Sequence, residues 1–151
     1  MQRISEVMST NPRALGPDDT IRKAAQVMRD DDIGVIPIVD NVSALVGIVT
    51  DRDIVITAVA DGRDPDDTPI RHSMTAQPDA VAPDTTIEQA ATLMQSRQIR
   101  RLPVLDNGRL VGMVSFADFA HSDASAEEKA ETLEEVSLPG QDLRETRAFP
   151  G

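Results

Sequence analysis

The sequence predicts a mixed α/β (α+β) fold built from two tandem copies of one β-α-β-β-α unit. The first observation behind this prediction is an internal repeat. Met74 aligns with Met8, and after a one-residue deletion Gly112 aligns with Gly47. The second observation is that both halves show helix-type and strand-type hydrophobic patterns in the same order. A register kept along so much of the chain predicts two copies of one small fold.

An amphipathic helix is predicted near the start of each copy, where apolar residues recur at helical spacing. An Asp or Thr precedes each apolar stripe, and such side chains accept hydrogen bonds from the first amides of a helix. The candidate N-caps are Asp19 or Thr20 in the first copy, and Thr85 or Thr86 in the second. The stripes comprise Ile21, Ala24, Ala25 and Met28, and then Ile87, Ala90, Ala91 and Met94.

Two β-rich runs joined by a turn follow each helix, and a second helix follows the runs. A short extended piece precedes the first helix of each copy. The predicted ranges are 8–14, 35–39, 45–49 and 51–60 in the first copy, with the turn at 40–43. In the second copy they are 74–80, 102–105, 110–114 and 116–121, with the turn at 106–108.

The domain organisation follows from this repeat. The first repeat takes residues 1–61 and the second takes residues 69–121. An acidic linker at residues 62–68 separates them. Beyond residue 121 the pattern stops, so the acidic tail of residues 122–151 is expected to be solvated or partly disordered.

Composition and charge exclude several classes of protein. The chain has 26 acidic and 15 basic residues and a formal net charge of -11, which argues against a nucleic-acid-binding surface. It has no cysteine, which excludes disulfides and thiolate metal sites. No apolar stretch is long enough to span a bilayer, and residues 1–5 lack the apolar core of a secretory signal. A cytoplasmic protein without nucleic-acid or membrane partners is expected.

One motif occurs in both copies, at the junction of the last strand and the second helix. Residues 47–53 and 112–118 share the pattern Gly-x-x-Thr/Ser-x-x-Asp. Its glycine allows a ligand close to the backbone, its hydroxyl can bond a phosphate or ribose oxygen, and its carboxylate can accept both hydroxyls of a ribose. The alternative is a capping box that only satisfies the first amides of the helix. Recurrence at matching strand ends favours the ligand role.

Together these features resemble tandem CBS domains, a pair often called a Bateman module. The resemblance covers residues 4–121, and it includes both motifs and the Pro37 and Pro103 strands that end in Asp40 and Asp106. It implies two repeats packed through their sheets with pseudo-twofold symmetry, and two clefts that bind adenosine-containing molecules. AMP, ADP or ATP are the expected ligands, with S-adenosylmethionine or a nicotinamide dinucleotide as alternatives.

The resemblance also implies which residues contact the ligand. Asp53 and Asp118 would hold the ribose, while Thr50 and Ser115 would lie at the phosphate side. The expected walls of the clefts are Ile48, Met113, Thr10, Ala14, Ala76, Ala80, Gly34, Val35, Ile36, Arg100, Arg101 and Leu102.

Arg100 and Arg101 make the two copies unequal, because Gly34 and Val35 hold the matching positions in the first copy. Two guanidinium groups at this point suit a phosphate. The alternative is a pair of solvated arginines that interact with acidic residues of the tail.

The predicted function is a regulatory or sensor module that binds an adenosine ligand and, with AMP, ADP or ATP, senses energy state. The alternative is a ligand-free structural adaptor for dimerisation or for a partner protein. An enzyme is not expected, because no nucleophile, acid–base pair or metal site is indicated and neither His72 nor His121 has a partner pattern. No resident cofactor is expected, and Mg²⁺ is expected only together with ATP.

A homodimer is predicted through the second helix of each repeat. Residues 54–60 are apolar on every side, whereas a helix that covers one sheet face needs only one apolar stripe. Val55 and Val59 would form an exposed patch, and Phe116, Phe119 and Ala120 give the second repeat a similar surplus of apolar residues. A twofold contact would remove these patches from water. The alternative is a monomer in which the acidic tail covers these helices.

Overall fold

The computed structural model describes residues 2–121, so the predicted tail lies outside the described residues. The predicted α+β class is confirmed. The main elements are β1 (Ser9–Thr10), α1 (Ile21–Asp31), β2 (Val35–Val39), β3 (Leu45–Thr50), α2 (Asp51–Ile54), β4 (Thr75–Ala76), α3 (Ile87–Arg97), β5 (Arg101–Asp106) and β6 (Arg109–Ser115). Helix α2 continues as a π-helical segment, Val55–Val59, and short 3₁₀ helices span Ile4–Glu6, Ile70–His72 and Phe116–His121.

These elements form two compact units, each with one three-stranded antiparallel sheet. The first unit is residues 13–78, with the strand order β2-β3-β4. The second unit combines residues 2–12 with residues 79–121, with the order β1-β6-β5. In each unit the central strand ends at the hydroxyl residue of the repeated motif, Thr50 in β3 and Ser115 in β6.

The short first strand of each repeat joins the sheet of the other repeat. Thr10 of β1 lies opposite Gly112 of β6, and Ala76 of β4 lies opposite Gly47 of β3. Each compact unit therefore combines one repeat with the short first strand of the other. The sequence pattern places an extended piece before each helix, and pairing across the repeats determines which sheet it extends.

The motif glycines are required for this pairing. A Cβ on Gly112 would lie 2.6 Å from Met8 Sδ and 2.8 Å from the carbonyl oxygen of Ser9. A Cβ on Gly47 would lie 2.6 Å from Met74 Sδ and 3.0 Å from the carbonyl oxygen of Thr75. The expectation that these glycines admit a ligand is therefore corrected. The space beside each glycine holds a methionine and the edge strand.

The first helix of each unit begins at a predicted cap. Thr20 Oγ1 accepts a hydrogen bond from the backbone N–H of Lys23 at 3.1 Å. Thr86 and Gln89 form a capping box, with hydrogen bonds of 3.1 Å and 2.9 Å. The predicted apolar stripe is buried in α3, but in α1 Ala25 is exposed and Val27 is buried in its place.

The acidic linker packs on the start of α1. The backbone N–H of Ile21 donates to the carbonyl of Thr68 at 2.9 Å, and that of Arg22 donates to Pro65 at 3.1 Å. Thr68 itself is buried. In the second unit Ile87 makes the corresponding bond to the carbonyl of Gln2 at 3.2 Å. The segment that precedes each repeat thus satisfies amides in the first turn of the other repeat's helix, where helical partners are missing.

Each unit has its own hydrophobic core between its sheet and its helices. The core of the first unit centres on Ile21, Ala24, Val27, Ile36, Ile38, Val49, Ile54, Ala58 and Ile70. That of the second unit centres on Ile4, Ile87, Ala90, Met94, Leu102, Val104, Val114 and Phe119. Within residues 2–121 no helix is both long and apolar enough to cross a membrane.

Candidate functional site

In the first unit, the pairing of β2 with β3 brings two predicted segments together. Thr50, the last residue of β3, lies opposite Val35, the first residue of β2. The backbone N–H of Asp51 donates to the carbonyl of Gly34 at 3.0 Å, which joins the start of α2 to the residue before β2. Gly34, Val35 and Thr50 therefore meet at one end of the sheet.

Thr50 and Asp53 form the capping box that the motif permits. Thr50 Oγ1 accepts from the backbone N–H of Asp53 at 3.1 Å, and Asp53 Oδ2 accepts from the backbone N–H of Thr50 at 2.9 Å. Both residues are half-buried. Among the described residues the box engages Oδ2 and leaves Oδ1 of Asp53 as an acceptor. A capping role and a ligand role are therefore compatible at this pair.

The second unit repeats this geometry. Ser115, the last residue of β6, lies opposite Arg101, the first residue of β5. The backbone N–H of Phe116 donates to the carbonyl of Arg100 at 2.8 Å. The backbone N–H of Ser115 donates to Asp118 Oδ2 at 2.8 Å. Each unit therefore presents a hydroxyl and a carboxylate beside the first residue of its proline-containing strand.

Two of the predicted wall residues, Ile36 and Leu102, have side chains on the core face of the sheet. Side chains alternate between the two faces of a strand. Ile36 and Leu102 have no exposed surface and belong to the two hydrophobic cores. Their preceding residues, Val35 and Arg101, are half-buried on the opposite face. The side chains of Ile36 and Leu102 therefore belong to the cores, and only their backbones are placed to contribute to the predicted walls.

Ile48 and Met113 lie on the same face as the hydroxyl residues, because each precedes its Thr50 or Ser115 by two positions. Both side chains are half-buried. Ile48 is flanked by β2 and β4, and Met113 by β5 and β1. Their placement beside the motif fits the predicted role.

The predicted extended walls are divided between the units. Thr10 lies in the second unit beside Gly112, whereas Ala14 lies in the first unit. Likewise Ala76 lies in the first unit, and Ala80 lies in the second. The stretches 10–14 and 76–80 are therefore not continuous walls of one unit, because the chain passes from one sheet to the other within each stretch.

Asp51 lies beside the motif hydroxyl but was not among the predicted site residues. This half-buried residue follows Thr50, and Phe116 holds the matching place after Ser115. The signal in the sequence was the difference between the two copies of the motif. The position of the Asp51 carboxylate in the first copy is occupied by the aromatic ring of Phe116 in the second. Within residues 2–121, no group of three or more His, Cys, Asp or Glu side chains is arranged to hold a metal ion.

The duplicated fold, with one hydroxyl–carboxylate motif at the end of each central strand, defines a protein of paired repeats. A family model of the CBS domain matches residues 4–59 and 69–125. The chain belongs to the CBS domain family and carries two such domains in tandem, which confirms the resemblance seen in the sequence.

Known proteins of similar sequence and structure are small CBS proteins. The CBS domain-containing protein YhcV of Bacillus subtilis (strain 168) is 36% identical over 137 residues, which cover 91% of this chain and 96% of that protein. Hypoxic Response Protein I, solved with two coordinated zinc ions, is 34% identical with a TM-score of 0.75, covering 82% of this chain and all of that one.

A third similar protein was solved with adenosine ligands. The CBS domain pair of protein MJ0100, in complex with 5′-methylthioadenosine and S-adenosyl-L-methionine, is 28% identical with a TM-score of 0.70. The match covers 80% of this chain and 94% of that one.

Proposed function

We propose that this protein is a regulatory module that binds an adenosine-containing ligand through the motif residues of each unit. The observation that carries the proposal is the repeated pair Thr50–Asp53 and Ser115–Asp118, placed at the end of the central strand in both units. In the first unit the capping box leaves an acceptor oxygen on Asp53, and an ionised carboxylate can accept the hydroxyls of a ribose.

The proposed ligands are AMP, ADP or ATP, with S-adenosylmethionine and a nicotinamide dinucleotide as alternatives. The CBS pair solved with S-adenosyl-L-methionine and 5′-methylthioadenosine supports the choice of an adenosine ligand. Mg²⁺ would enter only with ATP, and the proposal includes no resident cofactor. With a nucleotide as ligand, the protein would sense energy state in the cytoplasm and pass the signal to a protein partner.

No catalytic step is part of this proposal. The hydroxyl of Thr50 accepts a backbone hydrogen bond, and the neighbouring carboxylate of Asp53 is a capping group. Within residues 2–121, no histidine or lysine is bonded to either group. An activated nucleophile needs such a base within hydrogen-bond reach. The arrangement within the described residues suits holding a ligand.

The proposed assembly is a homodimer formed through the π-helical segment Val55–Val59, because in the second repeat Phe119, expected on the exposed surface, is buried in the core. On this segment Val55 is 56% exposed, Ile56 is 47% exposed and Val59 is 65% exposed, while Ala58 is buried in the core. Contiguous exposed apolar side chains are typical of protein contacts. A second copy that presents the same face would cover them.

The ligand proposal is tested with Asp53→Asn and Asp118→Asn. Asparagine keeps a carbonyl oxygen for the backbone N–H of the capping position, but it loses the charged acceptor for a ribose. Each variant should bind its adenosine ligand about 10- to 150-fold more weakly, since a hydrogen bond to a charged group contributes about 1.5–3 kcal/mol. Isothermal titration with AMP, ATP, S-adenosylmethionine and NAD gives the affinities.

Gln89→Ala is the matched control, because it removes a capping box from α3 without touching the motif. This control should lose stability and keep ligand affinity. Parent-like affinity in the Asp53→Asn/Asp118→Asn double variant would overturn the ribose assignment. If the parent protein binds no ligand of the panel, the proposal of a ligand-binding sensor is replaced by that of a ligand-free structural adaptor.

A further inference from the structure

The two units carry different side chains beside the same hydroxyl. Residues directly opposite on paired antiparallel strands have side chains on one face of the sheet, with Cβ atoms about 4.5–5.5 Å apart. Thr50 has Val35 as this neighbour, whereas Ser115 has Arg101. The repeated fold therefore places an apolar group in one unit where the other has a guanidinium.

The charges around the two motifs also differ in sign. Next to Thr50 the motif carries two carboxylates, on Asp51 and Asp53, and one exposed guanidinium, on Arg52. The corresponding positions next to Ser115 are Phe116, Ala117 and Asp118, so the second unit has a single motif carboxylate.

Two arginines lie at the junction that carries this single carboxylate. Arg101 lies opposite Ser115 on the paired strand, and the backbone carbonyl of Arg100 accepts the backbone N–H of Phe116 at 2.8 Å, so the backbones of both residues are held beside the motif. The first unit has Gly34 and Val35 in these places. The formal charge of the groups around the motif is therefore negative in the first unit and positive in the second.

We infer that the two units select adenosine ligands by the charge of their 5′ substituent, an inference that rests on the proposed function. The second unit takes a phosphate-bearing ligand, because a guanidinium binds phosphate oxygens with paired, charge-assisted hydrogen bonds. The first unit takes an uncharged or cationic 5′ group, such as a thioether or sulfonium. The two carboxylates of Asp51 and Asp53 outnumber the one exposed guanidinium of Arg52, and this net negative charge would repel a phosphate there.

The chain supplies reciprocal variants for the test. Arg101→Val gives the second unit the side chain of the first, and Val35→Arg gives the first unit that of the second. Arg101→Lys keeps the positive charge and removes the planar guanidinium with its paired N–H donors. The probes are AMP, adenosine, 5′-methylthioadenosine and S-adenosylmethionine, measured by isothermal titration, with circular dichroism as the check that each variant is folded.

Arg101→Val should weaken the affinity for AMP by about tenfold or more. The affinities for adenosine and 5′-methylthioadenosine should stay unchanged, since only the phosphate interacts with the guanidinium charge. Arg101→Lys should lose less AMP affinity than Arg101→Val. Val35→Arg should raise the number of AMP molecules bound per chain. Asp118→Asn should reduce AMP binding, and Asp53→Asn should reduce binding of 5′-methylthioadenosine and S-adenosylmethionine.

Unchanged AMP affinity in folded Arg101→Val would overturn the inference. Loss of AMP binding in the Asp53→Asn single variant would also overturn it. In either case, adenosine ligands would still bind and depend on the two aspartates, so the proposed function would stand. Absence of binding by every probe would overturn the proposed function together with the inference.

Discussion

The contact between each motif glycine and the exchanged strand can be tested by adding one methyl group. In Gly112→Ala the new Cβ would lie 2.8 Å from the carbonyl oxygen of Ser9 and 2.6 Å from Met8 Sδ. The sulfur lies on a flexible side chain, but the carbonyl oxygen belongs to the backbone of β1. Strand β1 pairs with β6 through only two residues, so a displacement of its backbone would weaken or break the hydrogen bonds between the two strands.

The expected loss of stability follows from two opposing effects. Overfilling a packed site costs about 1–3 kcal/mol. Replacing glycine by alanine also restricts the unfolded chain, which stabilises the fold by about 0.4–1 kcal/mol. The net loss for Gly112→Ala is therefore about 0–2.6 kcal/mol. Gly47→Ala should cost less, because its nearest backbone atom, the carbonyl oxygen of Thr75, would lie at 3.0 Å.

Urea denaturation measures this loss as a lower midpoint at an unchanged slope. Gly16→Ala is the matched control, since its Cβ would meet neighbours at the ordinary distances of 3.6 and 3.8 Å. Met8→Ala combined with Gly112→Ala should recover part of the loss, because one of the two close contacts disappears. The reasoning is refuted if Gly112→Ala is as stable as Gly16→Ala.

Two further predictions concern helix capping and assembly. Thr86→Ala should lower the free energy of unfolding by about 1 kcal/mol, because it removes the capping box of α3, whereas Thr92→Ala on the exposed face of the same helix should change it little. Equal urea midpoints for the two variants would contradict the capping role. Val55→Glu/Val59→Glu should convert a dimer into a monomer of 16.3 kDa by light scattering, while Val42→Glu, at the same 56% exposure as Val55 but in a turn, should not. A monomeric parent protein would exclude the dimer.

Much of the fold could be predicted from the sequence because the signals are local or repeated. The internal repeat predicts two copies of one unit, and the threonine caps Thr20 and Thr86 satisfy amides within their own first turns. The turn between β5 and β6 is equally local, since Asn107 and Gly108 both adopt positive φ angles of 52° and 79°. The capping box of Thr50 and Asp53 also lies within four residues.

The candidate site could be predicted only in part, because the strand pattern had to be combined with the position of the core. The alternation of side chains separates Val35 from Ile36 and Arg101 from Leu102, but the sequence does not say which member of each pair faces the helices. Both members of the first pair are apolar. The structure buries Ile36 and Leu102 in the cores and leaves Val35 and Arg101 beside the motif.

The duplication, the element types and the recurring hydroxyl–carboxylate pair could all be read from the sequence, since each is either local in the chain or repeated along it. The folded structure alone shows that β1 extends the sheet of the second repeat and β4 that of the first. A two-residue strand carries too little pattern to specify a partner. Its place depends on a glycine about a hundred residues away for β1, whose missing side chain leaves room for Met8 and the backbone of Ser9.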